Sequence, residues 1–289
     1  MAIIVDNDTR LVVQGLTGSE GRFHGLRNKA YGTNLVAGVT PGKGGQDVEG
    51  IPVFDTVADA VDKAGANATL IFVPARFAAD AIYEAVDAGI ATVICITEHV
   101  PVHEMLRAYT YFRPQGITMI GPNCPGVLSP GKANVGIIPA EIFSEGVVGL
   151  VSRSGTLTYQ IGHELTQLGL GNSTIVGIGG DPVVGSSFID VLAKFETDPQ
   201  TELIVMVGEI GGDEEEKAAA YITEHVTKPV LSYIAGFSAP PGKTMGHAGA
   251  IISGSSGTAQ GKKEALEARG IEVGTTPTEV AQLVAGRLT

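Results

Sequence analysis

Short apolar runs alternate with longer stretches of mixed apolar and polar residues along the first half of the chain. The apolar runs predict strands at 10–14, 34–39, 68–73, 92–96 and 118–120. The mixed stretches predict helices at 21–31, 56–63, 75–88 and 102–113. Because the strands contain few polar positions, both faces of their sheet should be covered, which is typical of parallel sheets flanked by helices.

The second half repeats this alternation after a segment rich in proline and glycine. Its strands are predicted at 147–151, 174–178, 203–207 and 230–234, and its helices at 157–168, 187–196, 213–225 and 259–268. We therefore predict an α/β protein with an N-terminal Rossmann-like domain (1–122) and a C-terminal flavodoxin-like domain (147–289), both with parallel sheets. A loop-rich connector (123–146) is expected to join them.

Composition and charge limit the possible partners. Hydrophobic residues make up 44% of the 289 residues and charged residues 17%, which is enough apolar material for two cores. The net charge of −12 argues against nucleic acid, whose phosphates would be repelled. No apolar run is long enough to cross a membrane, no signal peptide is visible, and two isolated cysteines form no metal cluster. A cytoplasmic protein is expected, or a processed form in the mitochondrial matrix, with no metal site on this chain.

A glycine-rich turn, Gly15-Leu-Thr-Gly-Ser-Glu-Gly, follows the first predicted strand and leads into a helix. Such a turn lets a phosphate approach the free N–H groups of the helix, although a plain tight turn is the alternative. The acidic residue that would bind the ribose of NAD is missing after the second strand, where Lys43 lies on another glycine-rich loop. A lysine favours an additional phosphate, so coenzyme A is predicted in preference to NAD. The fourth strand ends in Ile96-Thr97-Glu98 at the same sheet edge, where ligand contact and simple strand-end packing are equally open.

The second half contains three candidate groups. Ser154, Gly155 and Thr156 follow a strand and can open a helix around an anion, or serve as an ordinary N-cap. His247 lies in a glycine- and alanine-rich loop, where it can act as a nucleophile or be merely a surface histidine. Glu209 ends a strand and could orient one imidazole nitrogen of that histidine. The acidic run at 213–216 begins a helix and is interpreted as a solvated face.

Taken together, these motifs resemble the α subunit of succinyl-CoA synthetase, also called succinate–CoA ligase, over essentially the whole chain. They are Gly15-Leu-Thr-Gly-Ser, Val39-Thr-Pro-Gly-Lys-Gly-Gly, Ile96-Thr-Glu, Gly121-Pro-Asn-Cys-Pro-Gly, Ser152-Arg-Ser-Gly-Thr-Leu-Thr-Tyr, Gly177-Ile-Gly-Gly-Asp-Pro, Gly208-Glu-Ile-Gly-Gly and Gly246-His-Ala-Gly-Ala-Ile. The chain departs from the usual pattern at Glu20, where glutamine is common, and at His99, where glycine is common. We expect the Glu20 side chain to point away from the ligand.

The resemblance implies a role for each candidate residue. The residues implied to bind coenzyme A in the first domain are Thr17, Gly18, Ser19, Glu20, Lys43, Ile96, Thr97 and Glu98. His247 would be phosphorylated during turnover and Glu209 would orient it, while Ser154, Gly155 and Thr156 would hold the phosphate. Tyr159 would contact the substrate together with a partner subunit.

The resemblance also implies the reaction and its participants. Succinyl-CoA, phosphate and a nucleoside diphosphate would give succinate, CoA and ATP or GTP, in the citric acid cycle, through an acyl phosphate and a phosphohistidine. The nucleotide and Mg²⁺ would be bound mainly by a β subunit, in an αβ or α2β2 complex. The chain contains no Gly-x-x-x-x-Gly-Lys-Ser/Thr motif, which agrees with a nucleotide site elsewhere. Two alternatives stay open: a ligase for a related acid such as malate, and a CoA-binding module without catalysis.

Overall fold

The first half of the chain forms a seven-stranded sheet with helices on its faces. The computed structural model describes residues 2–240, 242–252 and 257–288. The elements of this half are β1 (Arg10–Gln14), α1 (Ser19–Tyr31), β2 (Asn34–Val39), β3 (Asp47–Val48), β4 (Ile51–Phe54), α2 (Val57–Ala64), β5 (Ala68–Ile71), α3 (Ala75–Asp87), β6 (Thr92–Cys95), α4 (Val102–Phe112) and β7 (Thr118–Ile120).

The strand order of this sheet is β3-β4-β2-β1-β5-β6-β7. Apart from the short β3, which is antiparallel to β4, the neighbouring strands are parallel. Counting only the parallel strands in chain order gives 3-2-1-4-5-6, the classical dinucleotide-binding order. The Rossmann-like prediction is therefore confirmed, and the order reverses between β1 and β5, where a ligand is expected.

The second half forms another seven-stranded sheet. Its elements are β8 (Gly126–Ser129), β9 (Ala133–Gly136), β10 (Glu145–Ser152), α5 (Gly155–Gln167), β11 (Asn172–Gly177), α6 (Phe188–Thr197), β12 (Leu203–Glu209), α7 (Glu214–His225), β13 (Val230–Ala235), α8 (Ala259–Glu267), β14 (Glu272–Gly274) and α9 (Pro277–Leu288). The strand order is β14-β13-β12-β10-β11-β8-β9. Its five parallel strands follow the 2-1-3-4-5 order of flavodoxin-like folds, as predicted.

The segment predicted as a loop-rich connector contains two strands. β8 and β9 form an antiparallel hairpin, and β8 pairs antiparallel with β11, so the second sheet is mixed rather than wholly parallel. The hairpin is tightly closed, because a Cβ at Gly126 would lie 2.3 Å from the carbonyl oxygen of Val135. Prolines and glycines around these short strands predict a loop, but the open edge of β11 gives the hairpin a partner. The sequence also did not predict β14 and α9 at the C-terminal end.

The two halves pack directly against each other through this hairpin. The Asn28 amide on α1 donates to the carbonyl oxygen of Gly136 at 3.0 Å. The Thr33 hydroxyl donates to the carbonyl oxygen of Asn134 at 2.9 Å. All four residues are buried, and one continuous apolar cluster includes strands from both sheets. The contact places the strand ends of the first sheet beside those of the second.

Candidate active site

The turn between β1 and α1 is shaped for close approach of a ligand. Gly15 has a φ of +87°, and a Cβ at Gly21 would lie 2.2 Å from the Gly15 carbonyl oxygen. Helix α1 therefore packs directly on the turn. Its N-cap, Gly18, makes no side-chain capping hydrogen bond, so the N–H groups of the first turn face outward without a side-chain acceptor. Such an uncapped N-terminus attracts an anion.

Lys43 reaches this turn from the loop after β2. Its Nζ lies 3.2 Å from the Thr17 hydroxyl oxygen, and that hydroxyl donates to the Thr40 hydroxyl at 3.1 Å. The lysine thus adds a positive charge beside the uncapped helix end. The Glu20 side chain is 72% exposed, and its carboxylate lies 3.8 Å from Nε2 of His24. That its backbone rather than its side chain binds the ligand stays a prediction.

The residues after β6 lie beside the same turn. The Thr97 hydroxyl donates to the carbonyl oxygen of Val73 at 2.7 Å, which fixes the strand end. Ile96, Thr97 and Glu98 line a cavity of about 430 Å³ that also includes Glu20 and His24. His24 stacks on Phe72 with ring centroids 5.6 Å apart, and burial lowers its pKa. His24 thus forms part of the wall of this cavity.

In the second domain, Ser154 caps helix α5. Its hydroxyl accepts a hydrogen bond from the Leu157 N–H at 3.3 Å, and its own N–H donates to the Ser152 hydroxyl at 3.0 Å. Gly155 and Thr156 form the first turn of the helix, so they present its positive end to the solvent side. Tyr159, one turn further on, is half-buried, and burial raises the pKa of its hydroxyl to about 12. At neutral pH it remains a hydrogen-bond donor.

His247 and Glu209 form a hydrogen-bonded pair. His247 Nδ1 lies 2.8 Å from a carboxylate oxygen of Glu209, whose side chain is only 6% exposed at the end of β12. The ring lies directly on Gly180, where a Cβ would come within 2.2 Å of it, so glycine is required there. If Nδ1 carries the proton that Glu209 accepts, Nε2 keeps its lone pair and can act as a nucleophile.

Charged neighbours set the pKa of His247. The hydrogen bond to Glu209 raises it, and the carboxylate of Asp181 acts in the same direction. Burial and the guanidinium of Arg153 oppose this rise, but the pKa stays above its ordinary value. Arg153 Nε lies 3.3 Å from the other carboxylate oxygen of Glu209, and both side chains are buried. Arg153 thus holds the second carboxylate oxygen of Glu209 in an enclosed place.

A single cavity of about 210 Å³ brings residues of the two domains together. Its lining includes Ile96 and Glu98 of the first domain and Ser154, Gly155, Thr156, Tyr159 and His247 of the second. Seven of the sequence-predicted candidates thus meet at one place. Gly18, Ser19, Glu20, Thr97 and Glu209 are not part of this lining, although Glu209 contacts His247 from behind it. Thr17 and Lys43 lie at the neighbouring glycine-rich turn and are not part of this lining.

Sequence reasoning missed three supporting side chains. Arg153 lies within a quoted motif, but its ion pair with Glu209 depends on strands that are remote in the chain. Asn123 donates to the carboxylate of Asp181 at 2.9 Å and so fixes an acid near His247. The motifs that begin at Gly121, Ser152 and Gly177 contain these three residues, so the sequence offered a signal by which to find them.

Among residues 2–240, 242–252 and 257–288, no group of three His, Cys, Asp or Glu could hold a metal ion. No helix in the same ranges is long and apolar enough to span a bilayer.

Comparisons with known proteins agree with this geometry. A family model described as a CoA binding domain matches residues 6–99, and one described as CoA-ligase matches residues 151–271. A CoA-binding domain followed by a CoA-ligase domain defines a subunit of an acid–thiol ligase. The chain is 61% identical over 285 residues to succinate–CoA ligase (ADP-forming) subunit alpha 2 of Archaeoglobus fulgidus, with 99% of both chains covered. It is 59% identical to the succinate–CoA ligase (ADP-forming) subunit alpha of Aquifex aeolicus, covering 99% of this chain and 94% of the relative. The chain belongs to the succinate–CoA ligase alpha-subunit family, as its motifs predict.

A solved structure shares the fold. It is an ATP citrate lyase from Methanosaeta concilii in complex with (3S)-citryl-CoA, with a TM-score of 0.89 at 24% identity. The match covers 99% of this chain and 51% of that chain, so this chain spans about half the length of the lyase. The two folds therefore agree from end to end of this chain.

Proposed function

We propose that this chain is the α subunit of an ADP-forming succinate–CoA ligase and carries the phosphoryl group on His247 during turnover. The observation that supports this most directly is the shared cavity that holds His247, the start of helix α5 and the strand end at Ile96–Glu98. A histidine held by a buried carboxylate, beside a helix N-terminus, suits phosphoryl transfer. A CoA-binding module without catalysis would not need a histidine hydrogen-bonded to the buried carboxylate of Glu209.

The proposed reaction runs in three steps. An oxygen of inorganic phosphate attacks the thioester carbon of succinyl-CoA, the C–S bond breaks, and the CoA thiolate takes up a proton. The Nε2 lone pair of His247 then attacks the phosphorus of succinyl phosphate, and succinate leaves as its P–O bond breaks. ADP finally takes the phosphoryl group from the histidine. Each transfer is easier than a single direct transfer would be, which is the gain of covalent catalysis.

The residues around His247 have separable tasks in this scheme. Glu209 holds Nδ1 and so directs Nε2 to the phosphorus, while its negative charge stabilises the positive ring that forms on attack. Ser154, Gly155 and Thr156 present the helix N-terminus to the phosphoryl oxygens. We assign Tyr159 to contact with the acyl substrate, because it lines the same cavity and its hydroxyl stays protonated.

The first domain fits coenzyme A. The uncapped start of α1 offers the backbone N–H groups of Ser19 and Glu20 to its phosphates. Thr17 and Gly18 form the turn before them, where the Gly18 N–H donates to the Gly15 carbonyl oxygen at 2.9 Å. Lys43 adds a positive charge beside this turn, with its Nζ 3.2 Å from the Thr17 hydroxyl. Ile96, Thr97 and Glu98 line the path from this turn to the cavity of His247. CoA lying along that path would bring its sulfur end to the second domain.

We further propose that the chain works as a heteromer with a β subunit, in an αβ or α2β2 complex in the cytoplasm. The relatives are named as alpha subunits of ADP-forming ligases, and both come from prokaryotes. The sequence has no phosphate-binding loop for a nucleoside triphosphate, so nucleotide and Mg²⁺ would be held mainly by the partner. Light scattering of the purified complex distinguishes the two stoichiometries by mass.

The proposed function is tested on the chain co-purified with its β subunit. With γ-labelled ATP and Mg²⁺, we expect an acid-labile, alkali-stable label on this chain. Succinate and CoA together should discharge the label, whereas CoA alone should not, because only succinate reacts directly with the phosphohistidine in this scheme. Labelled GTP and malate serve as the competing nucleotide and acid. Discharge by malate and CoA but not by succinate and CoA would overturn the substrate assignment. CoA binding without any label would favour the binding module.

Lys43→Ala should weaken CoA binding to the complex roughly tenfold or more, because a charge-assisted contact to phosphate is lost. Isothermal titration with CoA measures this, and the label from ATP should still form on His247. Lys63→Ala is the matched control, since Lys63 is an exposed lysine of the same domain paired with Asp59. Equal CoA affinity in the two variants would remove Lys43 from the CoA site.

A further inference from the structure

A fully buried ion pair lies behind the pair of Glu209 and His247. Glu215 of α7 and Lys262 of α8 are in direct contact, and neither side chain has any exposed surface. A carboxylate oxygen of Glu216 lies 3.6 Å from the same ammonium group. The sequence predicts a solvated face for the acidic run at 213–216, and this is wrong for Glu215. The run begins α7 with one carboxylate turned inward, because Lys262 on the adjacent helix can neutralise it.

Glu215 is tied directly to the backbone of Glu209. The Oε1 atom of Glu215 accepts a hydrogen bond from the Glu209 N–H at 3.1 Å. The preceding residue, Gly208, makes room for this contact, since a Cβ there would lie 2.6 Å from the same Oε1 atom. The last residue of β12 is therefore held from behind by a buried carboxylate, while its own side chain holds His247 in front.

Lys262 ties the pair to the chain that returns from the histidine loop. Helix α8 begins after Thr258, whose hydroxyl accepts a hydrogen bond from the Gly261 N–H at 3.0 Å. Just before this helix, the carbonyl oxygen of Gly257 accepts a hydrogen bond from the Gly211 N–H at 2.8 Å. Gly211 lies two residues after Glu209 in the chain. The helix after the loop and the strand end that carries Glu209 are thus joined twice.

A gain in the free energy of unfolding does not by itself explain the buried ion pair of Glu215 and Lys262. Removing two charges from water costs about as much as their attraction returns, and apolar residues of similar volume commonly replace such pairs without loss. A carboxylate that accepts a specific backbone N–H does something that an apolar pair cannot do: it fixes the position of the strand end.

We propose that Glu215 and Lys262 are positioning residues of the phosphohistidine reaction. Lys262 contacts Glu215 and orients it, and Glu215 fixes the backbone of Glu209, so that the Glu209 carboxylate meets Nδ1 of His247. The inference rests on the proposed function of His247, because positioning is visible only through what the histidine does.

The test compares two double variants in the complex with the β subunit. Glu215→Leu with Lys262→Met removes both charges and the acceptor of the Glu209 N–H. Glu215→Gln with Lys262→Met also removes both charges but retains a carbonyl oxygen at the acceptor position. Both remove the two fully buried charges together, and the remaining carboxylate beside Lys262 belongs to Glu216, whose side chain is 34% exposed. Thermal unfolding verifies that both variants fold. Lys217→Met is the control, because Lys217 makes an exposed ion pair with Glu214 on the same helix.

We expect the leucine variant to be labelled by ATP roughly tenfold more slowly, since a buried N–H loses its acceptor. The glutamine variant should regain most of the rate. The acid limb of the pH–rate profile should also move to lower pH in the leucine variant alone. The acid limb reports the pKa of His247, which Glu209 and Asp181 raise and Arg153 lowers. A Glu209 carboxylate that has moved away from the ring raises this pKa less.

Two results separate the possible failures. The positioning role would be overturned if the leucine and glutamine double variants had the same labelling rate and the same pH profile as each other, while the wild-type complex was labelled normally. The role would also be overturned if the leucine variant lost labelling rate only in proportion to the fraction of protein that is unfolded, with an unchanged pH profile. A wild-type complex that takes no label would instead contradict the proposed function.

Discussion

Replacing His247 with asparagine should abolish phosphorylation of this chain while leaving CoA binding intact. Asparagine can still donate a hydrogen bond to Glu209, but it has no nucleophilic nitrogen to receive a phosphoryl group. Ligation by the complex should fall by roughly three orders of magnitude or more, to the level left when a covalent nucleophile is removed. Acid-quenched labelling from γ-labelled ATP and a coupled assay of succinyl-CoA formation measure the two quantities.

His225→Asn is the control for this variant. His225 is the last residue of α7, its side chain is 54% exposed, and it lies outside both cavities. We expect wild-type labelling from it. A label that persists in the His247→Asn complex would assign the chemistry to another residue. Loss of CoA binding in the same variant would show that the substitution disturbs the fold of the site rather than its chemistry.

The sequence predicts most of the fold because the alternation of apolar runs and helices is regular. The strands at 10–14, 34–39 and 118–120 have the predicted bounds, and both parallel orders follow from βαβ connections. The hairpin β8–β9 was not predicted, because its strands are short and lie among prolines and glycines. Only the exposed edge of β11 explains why that segment becomes a strand pair, and an edge in a folded sheet cannot be read from local pattern.

The candidate site could be predicted in its separate parts but not in its connections. Glycine-rich turns and a framed histidine are local features, and the sequence contains them. The pair of Glu209 and His247 was anticipated from a strand end and a loop. The contacts of Arg153 with Glu209 and of Lys262 with Glu215 depend on how helices and strands pack in three dimensions. For this reason the charged side chains that support Glu209, namely Arg153, Glu215 and Lys262, came from the structure alone.

Glu209→Gln should slow phosphorylation of His247 by roughly two to four orders of magnitude, with the chain still folded. A glutamine amide can donate to Nδ1, and this selects the tautomer that carries its proton on Nε2, the atom that must attack. In a serine protease, the analogous change of a buried aspartate to asparagine costs about 10⁴-fold for this reason. The loss of the carboxylate also removes the negative charge that stabilises the positive ring of the phosphorylated product.

The pH dependence distinguishes this explanation from a general loss of structure. Glu209 is the main cause that raises the pKa of His247, so the pKa should fall in the glutamine variant. A protonated imidazole has no lone pair, so labelling fails below this pKa and rises as the pH passes through it. The acid limb of the profile should therefore shift to lower pH, although the maximum rate is much smaller. Glu224→Gln, an exposed change on α7, should alter neither quantity. A Glu209→Gln complex with the wild-type rate would mean that the buried carboxylate does not orient the histidine, and an acid limb that stays in place would mean that it does not set the histidine's charge.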